Sequence, residues 1–464
     1  MAKPGTVGEL RQSGYAPRSV KEELRHNLIR KLESGERLFD GIVGYDESVI
    51  PQIENAVLSG QDIVFLGERG QAKTRLARSL VSLLDDEIPM LAGCEINDDP
   101  FAPICQACRE TIGELGDRAP LAWLPRDRRY GEKLATPDIT IADLIGEVDP
   151  IKVAEGRYLA DELTIHYGLL PRTNRGVFTI NELPDLAERI QVGLLNIMEE
   201  RDVQIRGYKV RLPLDLFVVA SANPEDYTNR GRIITPLKDR FGSQIRTHYP
   251  RTAEHESGIV EQEHTRFAAD GYETTVPDYM REIVVELTHL ARRSSEISQR
   301  SGVSVRVSIC NYENLASNAL KRAIRLREQQ VAPRVSDLNA LVASTAGKIE
   351  LEAVGEADEE KVVDKLIQRA VLNVFNRHFT PSDFDELLRN FENGLRIEVA
   401  DSMPSLEYIR QAAEVGGMGK AIESLDSQGN PALVASAIEF ALEGLHLNRK
   451  LNKDRAAGRF RYRS

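Results

Sequence analysis

The stretch GERGQAKT, Gly67 to Thr74, sets two glycines ahead of an adjacent lysine and threonine. It follows the apolar run DIVFL and precedes TRLARSLVSLL, so strand, loop and helix patterns succeed one another. Backbone N–H groups of such a loop wrap around phosphates where the helix begins. Lys73 then reaches the outer phosphates, and Thr74 offers its hydroxyl oxygen to Mg²⁺. One position departs from GxxxxGK[ST]: Ala72 stands where the second glycine is usual, and its methyl is tolerable only if the local φ is negative.

A second stretch, GVFTINELPDL from Gly176 to Leu186, has four residues of strand character running into Asn181 and Glu182. An acidic pair at a strand end, before a helix, holds a metal through the first residue and activates water through the second. Here the first residue is Asn181. It keeps an oxygen ligand and removes a negative charge, so metal affinity and turnover should both fall. Glu182 retains the chemistry of a general base. LFVVASAN places Asn223 at another strand end, suited to positioning water, and ITPLKDRFG sets Arg240 where it can reach a neighbouring subunit's γ-phosphate.

The elements that must carry these residues are legible as pattern. Short apolar runs at 62–67, 177–180, 216–223 and 244–250 alternate with helical stretches, which predicts an α/β domain with a buried, mostly parallel sheet. Residues 18–39 read as an amphipathic helix with Val20, Leu24, Leu28, Ile29 and Leu32 on its apolar face. After Pro250 strands nearly vanish and helical periodicity dominates. The expected division is an N-terminal helical segment over 1–40, a core over 41–250, a helical lid over 251–350 and an α-helical C-terminal region over 351–464. The acidic run LEAVGEADEE marks the last boundary.

Composition bounds the function. A chain of 464 residues exceeds one compact core, and no apolar run approaches the roughly 18 residues of a membrane span, so the expectation is a cytoplasmic protein. A net charge of -12 disfavours nucleic acid as a partner. The segment LNRKLNKDRAAGRFRYRS runs against that balance with seven basic residues. It reads first as a solvated tail and second as a site for an acidic protein or single-stranded nucleic acid. Four cysteines exclude a disulfide framework. Cys94, Cys105 and Cys108 cluster, but no fourth ligand stands nearby in sequence, so they read as reduced thiols ahead of a zinc site.

Taken in order, GIVGYDESV, GERGQAKT, TIADLIGEVDPIKVAEGRYLADELTIHYGLLPRTNRG, GVFTINELPDL, EERDVQIRGYKVRLPLDLFVVASANPED and KDRF resemble the AAA+ ATPases of the MoxR and magnesium-chelatase ATPase-subunit type. The resemblance covers Gly41 to about Arg306. It implies an αβα nucleotide-binding domain with a parallel sheet and inserted hairpins, followed by a helical lid. It implies ATP and Mg²⁺ as cofactors, bound through Gly67, Glu68, Arg69, Gly70, Gln71, Ala72, Lys73 and Thr74, with Ile42 and Val43 at the base and Thr74 and Asn181 at the metal. The family's loop ordinarily has alanine before the lysine. Glu182 is implied as catalytic base, Asn223 as sensor, Arg240 as a finger acting in trans and Arg306 as the second sensor arginine, with Arg230 and Arg232 as further interface arginines. The family forms rings, usually of six subunits. Its partner is commonly a protein with a von Willebrand A domain, and its output is metal insertion into a tetrapyrrole or remodelling of another protein. A nucleotide-gated scaffold that hydrolyses negligibly is the alternative.

Overall fold

The computed structural model describes residues 3–148, 162–200, 202–204, 211–223, 231–266, 271–299, 302–352, 356–413, 415–427, 429–456 and 459–464. The chain divides into two compact units, Met1–His248 and Tyr249–Ser464.

The first unit is organised by a five-stranded sheet of β1 (Ile63–Leu66), β2 (Tyr130–Leu134), β3 (Gly176–Asn181), β4 (Leu216–Ala222) and β5 (Ser243–Arg246). All pairings are parallel and the spatial order is β5-β1-β4-β3-β2. Every residue of β3 and β4 is buried, which is why these strands read as unbroken apolar runs instead of alternating ones. The predicted helix at 18–39 is α1 (Val20–Ser34), opened by a Ser19–Glu22 capping box and closed by Gly35 at φ 68°. Val20, Leu24 and Leu28 pack into the core shared with β1. Leu32, expected on the apolar face, is 43% exposed, because the last turn runs past that core.

The segment 1–40 is not a separate body. Glu23 of α1 makes a bidentate, fully buried ion pair with Arg129, which precedes β2, at 2.5 and 2.7 Å. Further helices of this unit are α2 (Lys73–Ser79), α3 (Gln106–Leu115), α4 (Glu188–Glu200) and α5 (Thr235–Arg240). Two antiparallel hairpins are inserted, one pairing Gly146–Val148 with Ile165–Tyr167 and one pairing Asp202–Gln204 with Arg211–Pro213. Gly207, Tyr208 and residues 149–161 of these insertions lie outside the described residues.

In the second unit α6 (Asp278–Arg293), α7 (Arg306–Leu326), α8 (Glu356–His378) and α9 (Pro431–Leu447) share one apolar core. Tyr279 of α6 stacks on Phe440 of α9 with centroids 4.6 Å apart. The expected lid and C-terminal region are therefore one unit, because their apolar faces cover each other. The strand-poor expectation is also corrected here. Ile397–Val399, Asn452–Ala456 and Arg459–Arg463 form an antiparallel sheet, so the basic segment is a packed hairpin and not a solvated tail. Among the described residues no helix is long and apolar enough to cross a membrane.

Candidate nucleotide site

The C-terminal ends of β1, β3 and β4 bring the predicted residues together. After β1 the chain turns at Gly67, where a β-carbon would stand 2.0 Å from Thr247 Oγ1 and 2.3 Å from Gln71 Oε1, so only glycine fits. Gln71 braces the loop by accepting hydrogen bonds from the Glu68 N–H at 3.1 Å and from Thr247 Oγ1 at 2.7 Å. Gly70 has φ 75° and Ala72 has φ 56°, ψ 19°. The requirement of negative φ at Ala72 is thus not met. The loop holds alanine in the left-handed region, at a cost of roughly 1–2 kcal/mol.

Lys73 begins α2 and donates to the carbonyls of Gly67 and Glu68 and, at 2.6 Å, to Asn223 Oδ1 at the end of β4. Asn223 is buried, 4% exposed. Its side chain therefore locates the lysine at the mouth of the loop, a different contact from the water-positioning role read from sequence.

Asn181 ends β3 and its amide is used on both sides. Oδ1 accepts from Thr74 Oγ1 at 3.2 Å and from Ser221 Oγ at 3.1 Å, while Nδ2 donates to Glu132 Oε1 at 2.7 Å. Glu132 stands on β2, the strand beside β3, and its other oxygen accepts from Arg78 Nε at 2.7 Å. A carboxylate at position 181 would face Glu132 directly; the amide instead donates to it. Sequence reasoning missed Glu132. The pairing of β2 with β3 places it there, and nothing in YGEKL announces that pairing. Glu182 follows with φ 57° and ψ 47°, strain of the kind that accumulates at functional sites. Its N–H donates to Ser221 Oγ at 3.2 Å, and its half-buried carboxylate has no hydrogen bond or ion pair among the described residues.

Curated relatives match the chain over part of its length. Magnesium-chelatase subunit ChlI, chloroplastic, of Oryza sativa subsp. japonica is 29% identical over 273 residues, 55% of this chain and 59% of the relative. The ChlI homolog of Methanocaldococcus jannaschii is 30% identical over 217 residues, 45% of this chain and 53% of the relative. Over the first unit the chain is similar to AAA+ domains of the magnesium-chelatase ATPase-subunit type. The chain spans little more than half the length of these curated relatives. A cryo-EM complex of magnesium-chelatase subunits BchI and BchD aligns at a TM-score of 0.37 and 21% identity, covering 71% of this chain and 94% of that one. No family model matches the chain.

The first unit also fixes the loop expected at the base. Ile42 is buried and Val43 half-buried, and both lie between Gly41 and Gly44, each with φ near 77° (76° and 78°). Tyr45, unremarked in the sequence, ties this loop to the phosphate loop: its hydroxyl lies 2.9 Å from the Gln71 carbonyl and 2.7 Å from that of His248. Burial pushes the phenol up to about 12, so it stays a donor. Arg240 closes α5, is exposed, and pairs with Glu199 of α4. Arg232 is exposed ahead of α5, and Arg230 lies outside the described residues. Arg306 is the exposed first residue of α7 in the second unit.

Proposed function

We propose that this chain is an ATPase that assembles into a ring, hexameric as the family resemblance implies, and couples ATP binding and hydrolysis to remodelling or activating a partner protein. The observation that supports it most is the convergence of Lys73, Thr74, Asn181, Glu182 and Asn223 at the ends of three adjacent parallel strands. Lys73 exchanges its loop carbonyls for outer phosphate oxygens, held in place by Asn223. Glu182 orients the attacking water and takes its proton. Arg240, offered by a neighbouring subunit, neutralises charge developing on the γ-phosphate, and Arg306 acts as the second sensor.

The donors at the strand ends suit a hard cation. Thr74 Oγ1, Asn181 Oδ1 and the Glu132 carboxylate are all oxygens, with the first two 3.2 Å apart. These three would hold Mg²⁺, which when bound screens the phosphate charge. Glu132 restores the negative charge that Asn181 lacks.

A MoxR-like chaperone or a magnesium-chelatase-like motor both fit this reading, and a von Willebrand A-domain protein is the proposed partner. Phosphate release decides between this enzyme and a nucleotide-gated scaffold. Wild type should exceed Glu182→Gln by on the order of 10²–10⁴-fold. Equal rates at saturating ATP would leave the scaffold. Capture of a von Willebrand A-domain protein by ATP-loaded Glu182→Gln would then identify the partner.

A further inference from the structure

Outside the nucleotide site, the segment between the antiparallel strands Glu87–Leu91 and Leu121–Pro125 folds its three cysteines around one acid. The Sγ atoms of Cys94, Cys105 and Cys108 and a carboxylate oxygen of Asp98 all lie within 4.8 Å of one another. Asp98 is fully buried. Its Oδ2 accepts from the N–H groups of Ile104 and Cys105 at 3.1 and 2.9 Å, while Oδ1 is buried and has no hydrogen-bond partner. An ionised oxygen left this way costs more than an ordinary orphan acceptor, so it needs a cation or a proton.

We propose that Cys94, Asp98, Cys105 and Cys108 form a closed, structural zinc site. Ligand atoms around a tetrahedral zinc with sulfur at about 2.3 Å stand roughly 3.8 Å apart, and this cluster is already drawn to that scale. The missing fourth ligand of the sequence pattern is Asp98, supplied by a loop turn and aimed inward. Cys105 caps α3 and Cys108 lies in its first turn, where the helix dipole favours thiolates. Backbone N–H groups already point at the sulfurs, from Asp98 to Cys94 at 3.3 Å and from Cys108 to Cys105 at 3.4 Å. Such donors orient metal-bound thiolates and offset their charge. Asp98, Cys105 and Cys108 are buried and Cys94 is half-buried, and the four side chains fill all four positions of a tetrahedral ion, so the ion serves to cross-link and not to catalyse.

The cross-link has a structural target. Asn97 and Ile96, within the clasped loop, bond to Arg172 and Asn174 at 2.8 and 3.0 Å, and Arg175 donates to Pro89 at 2.8 Å. These residues lead directly into β3. Zinc would therefore stabilise the entry of the strand that ends in Asn181 and Glu182.

The test uses the full-length, untagged chain purified under reducing conditions, loaded with zinc chloride and desalted, with metal measured by mass spectrometry. One zinc per chain is expected, falling to background in Cys105→Ser/Cys108→Ser. Cobalt(II) loading of the wild type should give intense thiolate-to-metal absorption with tetrahedral d–d bands, a readout that survives even if the variant fails to fold. A wild-type chain that retains no stoichiometric zinc, or whose three thiols all react freely with a thiol reagent after zinc loading, would overturn the site. Neither readout depends on ATP turnover.

Discussion

In the proposed site, Asn181 and Glu132 divide between two strands the metal-facing oxygens that an acidic pair would keep on one. The sequence shows the loss of a carboxylate at position 181 but cannot show its neighbour, because the two positions are 49 residues apart and meet only through the pairing of β2 with β3. The same limit hid the left-handed φ of Ala72: residue type alone suggested a negative angle, and the loop's closure imposed the other. The split carboxylate predicts a double-mutant cycle. Asn181→Asp alone sets two carboxylates 2.7 Å apart in a largely buried site. Repulsion on the order of 2–4 kcal/mol should then lower the thermal midpoint without raising phosphate release. Adding Glu132→Gln should restore both stability and turnover, whereas Glu132→Gln alone should slow turnover at least about tenfold. A faster and equally stable Asn181→Asp single variant would show that Glu132 does not supply the charge.

At the scale of elements, the parallel sheet was legible because burial on both faces makes each strand a continuous apolar run. The helices were legible because their apolar residues recur at helical spacing. The basic C-terminal hairpin was not, since alternating charge and aromatic residues describe a solvated segment until its partners are known. Those partners are distant in sequence. Arg459 and Arg461 reach Glu398 at 3.2 and 2.6 Å, Lys453 reaches Glu443 at 2.7 Å, and Tyr462, 2% exposed, donates to Glu443. Lys453, Arg459, Arg461 and Arg463, cations that look available to a polyanion, are spent on carboxylates of their own unit. Tyr462→Phe keeps the ring and removes the donor from buried Glu443, so urea unfolding should show a loss of about 1–3 kcal/mol. A change within a few tenths of a kcal/mol would mean that the hairpin is only appended to the helices.

At the scale of the whole molecule, the proposed mechanism requires more than one chain. In the proposed mechanism Glu182 and Lys73 belong to the phosphate-binding side of a subunit, while Arg240, exposed at the end of α5 and paired with Glu199, would leave that pair for a neighbour's nucleotide. A finger acting in trans makes each site the joint property of two subunits, and subunit mixing tests that directly. Glu182→Gln inactivates a subunit's own site but leaves its finger; Arg240→Ala removes the finger but leaves the site. Each variant alone should release phosphate near background. When the two are mixed in equal amounts and allowed to exchange before ATP is added, about one interface in four joins an intact site to an intact finger in a randomly assembled ring. Activity should therefore recover to roughly a quarter of wild type if the interfaces act independently. A finger acting in cis leaves every site defective in the same mixture and gives no recovery. Because both outcomes use the same two proteins at the same concentrations, the comparison separates a shared site from a slow one.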